Sequence, residues 1–483
     1  MFVVLIFCGT SQARFIYVDT DAVGANNGSS WENACNFLQD ALADANSSHK
    51  PVEIRVAQGT YTPDSNSVQP DGSGDRQATF QLINGVAIKG GYAGFGEPNP
   101  DARDVQFYET VLSGDLQRND DGLNNISENS FRVVTVIGTG STAVLDGFIV
   151  TASTGEHPAE CAGLYNYLAS PTVSNCTFFG NRTFYGYSGN NILNRYGHPT
   201  ISNCFFDGDN QNIGVLSEIG SLTIRNCVFV RNSQCGIESF GSEITLTNSL
   251  FSENEVAIFV DYCHPIIKNC TFYRNDSVIK YDGGASAAFT NCIAWENSFY
   301  ADSVSYSCIY DYDGGGIGII EVNPLFVDPY NGDYRLRPDS PCIDAGDPNY
   351  VASPGETDLD GKARIIGGRI DMGAFEFGDQ VRADVRIVPR SINLGSGGKW
   401  VTCFIWLPED YSVQDIDTES ILLENQVKPI SVRIDEQLQA FIARFSRRKV
   451  QAVLEAGDFE LTVSGELTGE IMFQGTDIVK VIE

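Results

Sequence analysis

Four carboxylates, Glu218, Glu238, Asp261 and Asp282, recur at short intervals through the middle of the chain. Around them lie Tyr167, Arg195, Tyr196, His198, Tyr262, His264 and Tyr281. Tyrosine faces cover the apolar faces of sugar rings, and acids bond sugar hydroxyls, so this mixture suits a carbohydrate. Paired carboxylates are also the acid and base of glycoside hydrolysis. A polyuronate lyase would need a base-stabilised enolate beside calcium-holding acids, and only Arg195 and Lys280 are placed for that. The same side chains equally describe the ordinary polar surface of outward loops.

What must position these residues is a repeat. Asn175-Cys176-Thr177-Phe178 recurs as Asn203-Cys204-Phe205-Phe206, Asn226-Cys227-Val228-Phe229, Asn248-Ser249-Leu250-Phe251, Asn269-Cys270-Thr271-Phe272 and Asn291-Cys292-Ile293-Ala294. Ser307-Cys308-Ile309-Tyr310 is a degenerate last copy. The leading Asn advances by 28, 23, 22, 21 and 22 residues, a series that requires stacked units of one size. An apolar residue stands two before each Asn (Val173, Ile201, Ile224, Leu246, Ile267), with Cys and Phe one and three after it. Strand alternation cannot place all three on one face unless the chain bends at the Asn, the non-glycine residue best suited to a left-handed bend. Each copy therefore reads as strand, Asn corner, strand, second Asn corner. Successive copies stack into parallel sheets about 4.8 Å apart. Outward carboxylates then fall about 5 Å apart on adjacent turns and about 10 Å two turns apart, bracketing both glycosidase geometries. The Cys ladder reads mainly as interior packing. Cys161, Cys235 and Cys263 fall outside it and are the better disulfide candidates.

The coil is expected from about residue 50 to about 325, with segments 62–78 and 92–130 as bulging loops. Ser29 and Glu32 form a capping-box pattern. Trp31, Ala34, Phe37, Leu38, Ala41, Leu42 and Ala45 then share one face of a short helix suited to cover the first turn. After the coil come many acids, among them Asp358 and Asp360, whose Asp-Leu-Asp-Gly start resembles that of a calcium loop without its remaining ligands. Asp115 and Asp146 read as single turn carboxylates. Alternating strands from Ala383 onward predict an antiparallel β-sandwich. The chain thus divides into a partial signal peptide (1–13), a capped coil (14–377), a linker (378–383) and a sandwich (384–483).

The N-terminal run Phe2 to Cys8, followed by Ser11-Gln12-Ala13, has the character of an export signal's apolar core and cleavage site. No other apolar run is long enough to span a bilayer. Acids outnumber bases 62 to 31, which argues against nucleic acid and anionic membrane as partners.

The Asn-Cys-Thr-Phe copies resemble the right-handed parallel β-helix superfamily that includes pectate lyases, and polymorphic outer-membrane-protein repeats. Tyr17 to Ala22, Gly28 to Trp31 and Ile54 to Tyr61 are similar to the N-terminal cap common in such proteins. Ser340 to Gly346, Asp360 to Arg364 and Asp371 to Glu376 resemble exported proteins of the choice-of-anchor Q type. Lys399 to Thr402 and Asp415 to Leu423 look like an accessory β-domain at the ends of secreted bacterial proteins. The resemblance covers nearly the whole chain and implies fold and export far more than activity. The expectation is an all-β, secreted or cell-surface monomer that binds an extracellular polysaccharide or cell-surface glycan, or serves adhesion or structure. The alternative is a polysaccharide-degrading enzyme working through Glu218, Glu238, Asp261 and Asp282, with Tyr167, Arg195, Tyr196, His198, Tyr262, His264 and Tyr281 holding the sugar. Calcium at Asp358 and Asp360 is the one cofactor the sequence raises.

Overall fold

A computed structural model describes residues 13–122, 124–155, 161–183, 189–208, 212–366, 368–378, 380–408, 411–424, 426–454, 456–468 and 471–482. The signal-like segment lies outside these residues but for Ala13. Two compact units emerge, Met1–Val322 and Asn323–Glu483. The acid-rich segment 323–377, expected as part of the coil's domain, groups instead with the C-terminal residues. Its buried acids and Arg364 close on one another, as described below.

In the first unit each turn of chain crosses three parallel faces. One is built from strands such as Ala162–Tyr167, Gly189–Arg195, Val256–Asp261 and Ser277–Asp282, and the next from Thr172–Ser174, Thr200–Ser202 and Ile266–Lys268. The third contains Thr177–Phe179, Phe205–Asp207, Val228–Val230, Leu250–Ser252 and Thr271–Tyr273. Phe178, Phe206, Phe229, Phe251 and Phe272 stand in strict register on that third face. Their rings stack inside the coil, with centroids 4.5 Å apart for Phe206 and Phe229 and 4.6 Å for Phe229 and Phe251.

The bends obey the expected chemistry at one corner and depart from it at another. Asn175, Asn203, Asn226, Asn248, Asn269 and Asn291 all take left-handed backbone, with φ between 50° and 55°. At the following corner the left-handed residue is Arg231, Glu253, Arg274 or Glu296, one place before the second Asn. That second Asn is buried, and its amide bridges successive turns. Asn232, Asn254 and Asn275 each donate from Nδ2 to Oδ1 of the next Asn at 2.8, 2.8 and 3.0 Å. A side-chain ladder thus satisfies polar groups in the interior, where an unpaired amide would cost ~1–3 kcal/mol.

The Cys positions are buried as expected, and no disulfide joins any of the described cysteines, Cys161, Cys235 and Cys263 included. They do more than fill space. Cys227 Sγ lies 3.2 Å from Arg225 O, and Cys204 N donates to that sulfur at 3.4 Å. Ser249 repeats both contacts through its hydroxyl, which explains why serine can replace cysteine in one copy. In the last copy Tyr306 takes the left-handed bend and Ser307 the Cys place. Cys308 is therefore a strand residue opposite Ile293, one position on from the ladder.

The coil starts earlier than residue 50, because Arg14–Val18 pairs in parallel with Val52–Ala57. Segment 92–130 is not all loop, since Thr110–Ser113 pairs with Gly59–Tyr61 and with Ile149–Thr151 on the third face. The capping helix is Leu38–Ser47 and begins without a side-chain cap, burying Leu38, Ala41, Leu42 and Ala45. Trp31 precedes it in irregular chain, donating from Nε1 to Asp101 at 3.0 Å and touching Tyr17 and Tyr92. No helix among the described residues is long and apolar enough to cross a membrane.

In the second unit two sheets share one apolar core that includes Ile387, Cys403, Phe441, Phe445, Val463 and Phe473. One sheet is antiparallel, with strands Asp384–Val388, Trp400–Trp406, Ala440–Ser446 and Ser431–Asp435 side by side. The other is mixed rather than antiparallel, because Gln380–Arg382 and Ser391–Asn393 both run parallel to Ile471–Ile482.

Candidate functional site

The outward side chains of the first face fall into columns set by the strand register. One column runs Tyr167, Arg195, Glu218, Phe240, Asp261, Asp282. A second runs Tyr165, Leu193, Leu216, Glu238, Phe259, Lys280. Four of the expected residues from different turns thus meet in the first column with Tyr167, while Glu238 stands in the second between Leu216 and Phe259. Asn166, the residue between the two columns, faces inward and donates to Asn194 at 2.7 Å.

The carboxylates are in unlike environments. Glu218 accepts two hydrogen bonds from Arg195, at 2.6 and 3.2 Å, and that pairing raises the already high pKa of the guanidinium. Burial, and secondarily the charge of Glu218, push the Glu238 carboxyl up. Asp261 and Asp282 occupy adjacent turns, about 4.8 Å apart at the backbone. Asp282 Oδ1 accepts from the N–H of Gly283 at 2.8 Å. Asp261 Oδ1 is buried without a partner among the described residues.

The expected sugar-holding residues separate. Tyr281 is the register partner of Val260 and packs partly into the core, where burial raises its phenol. His198 and His264 lie beyond the corner on exposed chain, with Nδ1 at 2.9 Å from Ser221 Oγ and 2.7 Å from Ser286 Oγ. Each is followed by proline and ties its turn to the next, so they do not join the face. Tyr167 remains on the face, its ring parallel to Tyr165 and edge-on to Tyr196 at 5.9 Å.

Tyr196 and Tyr262 sit at the corner that closes the first face, with φ of 57° and 53°. Leu168 and Ile219 hold the same place in their turns with φ of 51° and 56°, and Gly241 continues the series. Their side chains project into solvent, 57% exposed for Leu168, 45% for Tyr196, 55% for Ile219 and 73% for Tyr262. Left-handed backbone costs an L-residue about 1–2 kcal/mol, and it is least tolerated by a β-branched one. At its upstream end the face opens into a cavity of about 440 Å³ lined by Gln77, Thr79, Gln81, Phe131, Arg132, Thr135 and Ile137. Thr135 and Ile137 are register partners of Tyr165 and Tyr167, and the Arg132 guanidinium lies 3.7 Å from the centre of the Tyr165 ring. Sequence reading missed the cavity residues and the corner residues Leu168 and Ile219. The corner had a signal: Leu168, Tyr196, Ile219, Gly241 and Tyr262 each stand seven residues before a corner Asn.

Asp358 and Asp360 do not converge on a cation site. Asp358 is fully buried and accepts backbone N–H groups of Lys362 at 2.7 Å and Glu376 at 2.8 Å, while Asp360 is exposed. Desolvation pushes the carboxyls of Asp358 and Asp371 up to about 6 from an ordinary 3.8. An acid whose folded pKa is raised stabilises the fold most below its unfolded pKa and loses that contribution as pH climbs through the folded value. The Asn323–Glu483 unit is therefore expected to melt higher near pH 4.5 than near pH 7, most of the change falling between about 4 and about 6. Calorimetry across that range checks it, and a flat or rising trend with pH would contradict the assignment.

Residues 172–320 match the family model described as a right handed beta helix region. The coil is a right-handed parallel β-helix. No curated protein matches the chain. Solved structures similar to this β-helix protein include pectate lyase Pel9A, 16% identical with a TM-score of 0.49, covering 76% of this chain and 97% of that one. Another is the catalytic unit of thermostable GH87 alpha-1,3-glucanase from Streptomyces thermodiastaticus strain HF3-3, 9% identical with a TM-score of 0.31. That alignment covers 63% of this chain and 66% of the glucanase unit.

Proposed function

We propose that the first face and its corner bind an extracellular polysaccharide, and that the protein is an exported or cell-surface recognition or adhesion module. The observation that carries this reading is the run of Leu168, Tyr196, Ile219 and Tyr262, exposed on left-handed backbone alongside the cavity. Folding does not ask for these side chains. The coil's Asn corner makes the same kind of bend with the residue suited to it, so retaining large apolar groups here sacrifices stability for surface chemistry. Flat apolar and aromatic groups at regular spacing meet successive sugar rings, and Arg132, Gln81 and Arg195 border them with donors. The apolar run before Cys8 supports export.

Glu238 favours a second reading. A desolvated carboxyl beside Glu218 is the environment of a general acid, which would make the face hydrolytic. One experiment separates the two. The full chain is tested against neutral and acidic polysaccharides by affinity electrophoresis, with released reducing ends measured in parallel. Recognition predicts retention without product, weakened about tenfold or more in the Tyr196→Ala, Tyr262→Ala double variant and indifferent to Glu238→Gln. Product formation abolished by Glu238→Gln would establish the hydrolase. No retention on any polysaccharide would sink both.

A further inference from the structure

The antiparallel sheet of the second unit turns one side to the apolar core and the other away from it. Alternation along Trp400–Trp406 sends Val401, Cys403 and Ile405 into the core and Trp400, Thr402, Phe404 and Trp406 to the outer side. Register carries this row onto the neighbouring strands. Phe404 stands between Arg386 and Ile442, and Ile442 is in turn opposite Arg433. One row toward Trp400, Thr402 stands between Val388 and Arg444. One row the other way, Trp406 is opposite Asp384. The rings of Phe404 and Trp406 lie nearly parallel, 13° apart in plane, with centroids separated by 6.0 Å. Trp406 is fixed in place by its indole Nε1, which donates to Leu438 O at 3.0 Å. Rings kept on the outer side add nothing to the core and mark a contact surface.

Charge on this face is sorted by position. Arg386, Arg433 and Arg444 are exposed across its middle rows, and Trp400, 46% exposed, closes the last row opposite Ser446. Lys399 directly precedes Trp400, and Arg447, Arg448 and Lys449 directly follow Ser446. Arg447 is tied to that end of the sheet. Its backbone N–H donates to Lys399 O at 3.2 Å, and a Cβ on Gly398 would come within 2.7 Å of its Cδ. The described acids of the face, Asp384 and Asp435, stand instead at the Trp406 end. Asp435 reaches Arg433 only at 3.9 Å, too far for a hydrogen bond. A basic, aromatic surface is thus built onto a chain whose net charge is −31.

We propose that this face binds an acidic polysaccharide, a polymer whose sugars carry carboxylate or sulfate groups, at a site of its own apart from the coil's. Trp400, Phe404 and Trp406 offer apolar ring faces to the C–H faces of sugar rings. Arg386, Arg433 and Arg444 border them with planar donor forks that match a carboxylate or sulfate two bonds at a time. The cations at the Trp400 end extend the attraction felt by an approaching anionic chain. A neutral glycan would leave all of these charges unused. Nucleic acid, with a charge every ~1.7 Å as a duplex and every ~3.4 Å along one strand, would be repelled by the acidic remainder of the protein. A sugar polymer spaces its acids a ring or more apart, and contact with the aromatic side chains supplies the rest of its affinity.

The test is affinity electrophoresis of the full chain in gels holding sodium alginate or dextran sulfate. Retardation by at least one of these acidic polymers is expected. The triple variant Arg386→Gln, Arg433→Gln, Arg444→Gln should bind it about tenfold more weakly or worse, and Trp400→Ala about threefold more weakly. These four side chains are exposed, so the variants keep their fold. The Tyr196→Ala, Tyr262→Ala double variant should be retarded as the unaltered chain is, which separates this face from the one on the coil. Failure of the coil's site therefore leaves this result standing, and the converse holds too. Passage of the unaltered chain through both acidic gels without retardation overturns the proposal. So does retardation that the triple variant leaves unchanged or that the tyrosine variant abolishes. Equal, arginine-dependent retardation by single-stranded oligothymidylate would also overturn it, because the face would then serve nucleic acid as well as sugar.

Discussion

Replacing Phe229 with alanine is expected to destabilise the coil by about 3–5 kcal/mol, the range for emptying a buried aromatic site. Phe229 is fully buried, with the rings of Phe206 and Phe251 nearly parallel on either side at 4.5 and 4.6 Å. Relaxation cannot refill the gap cheaply, because the opposite wall has nothing to give. A Cβ placed on Gly214 would come within 2.4 Å of Gly236 O and 2.8 Å of Phe229 Cδ1, so neither the neighbouring backbone nor the ring leaves room for a side chain there. The cavity is therefore walled by rigid backbone and by two rings whose own register is fixed by the sheet. In a solenoid each turn is supported by its neighbours, so the loss spreads to the Phe206 and Phe251 turns. Equilibrium urea unfolding measures it, with Phe240→Ala as comparison, since Phe240 is 37% exposed on the outer column. A midpoint for Phe229→Ala no lower than that of Phe240→Ala would mean that the ring stack is not what holds the turns together.

The same turns show why part of this architecture could be read in advance and part could not. The Asn, Cys and Phe places repeat because each has one task on every turn: a left-handed bend, a small buried donor, a stacked ring. A task repeated at constant phase leaves a period in the sequence. The opposite wall leaves none, because Gly214 and Gly236 face phenylalanines while Ala257 and Val278 hold the equivalent places further along. Volume is conserved across the interior rather than identity along it. Lateral placement on the outer face was legible only through offset from the corner. Glu218 stands eight residues before Asn226 and joins the Arg195 column, whereas Glu238 stands ten before Asn248 and joins the Leu216 column. Grouping those acids by nearness in sequence merged two columns that the register separates. Loop chemistry was hidden for another reason. Asp115 and Glu128 are thirteen residues apart in chain with no regular element among the described residues between them, so only the folded excursion brings them together. The second unit followed the same logic. Its alternating strands announced a sandwich, but strand direction is set by connections, and two parallel strands beside Ile471–Ile482 carry no mark in their own residues.

Replacing Arg364 with leucine is expected to cost the second unit about 3–5 kcal/mol at neutral pH, the penalty for stranding a buried charge. Arg364 and Glu376 have no exposed side-chain surface, and Arg364 Nη2 lies 3.0 Å from Glu376 Oε1. The same nitrogen donates to the backbone oxygens of Asp371 at 3.3 Å and Gly373 at 3.2 Å. Three buried acids, Asp358, Asp371 and Glu376, depend on this one guanidinium for opposite charge, and its field lowers all three against the desolvation that raises them. Each acid also accepts backbone N–H groups that fix the turns around 358–377, so removing the cation loosens the turns as well as the charge balance. A structural arginine of this kind makes a distinctive prediction about pH. Without it the acids gain protons more readily, and once they are neutral the stranded-charge penalty disappears. The deficit of Arg364→Leu should therefore be largest at pH 7 and shrink toward pH 4.5, whereas a deficit from lost packing alone would stay constant. Arg335→Ala supplies the contrast, because Arg335 pairs with Asp333 in solvent and its removal should leave the midpoint unmoved. Calorimetric melts of the three proteins at the two pH values distinguish these outcomes, and a pH-independent deficit in Arg364→Leu would assign the residue to packing rather than to neutralising the acids.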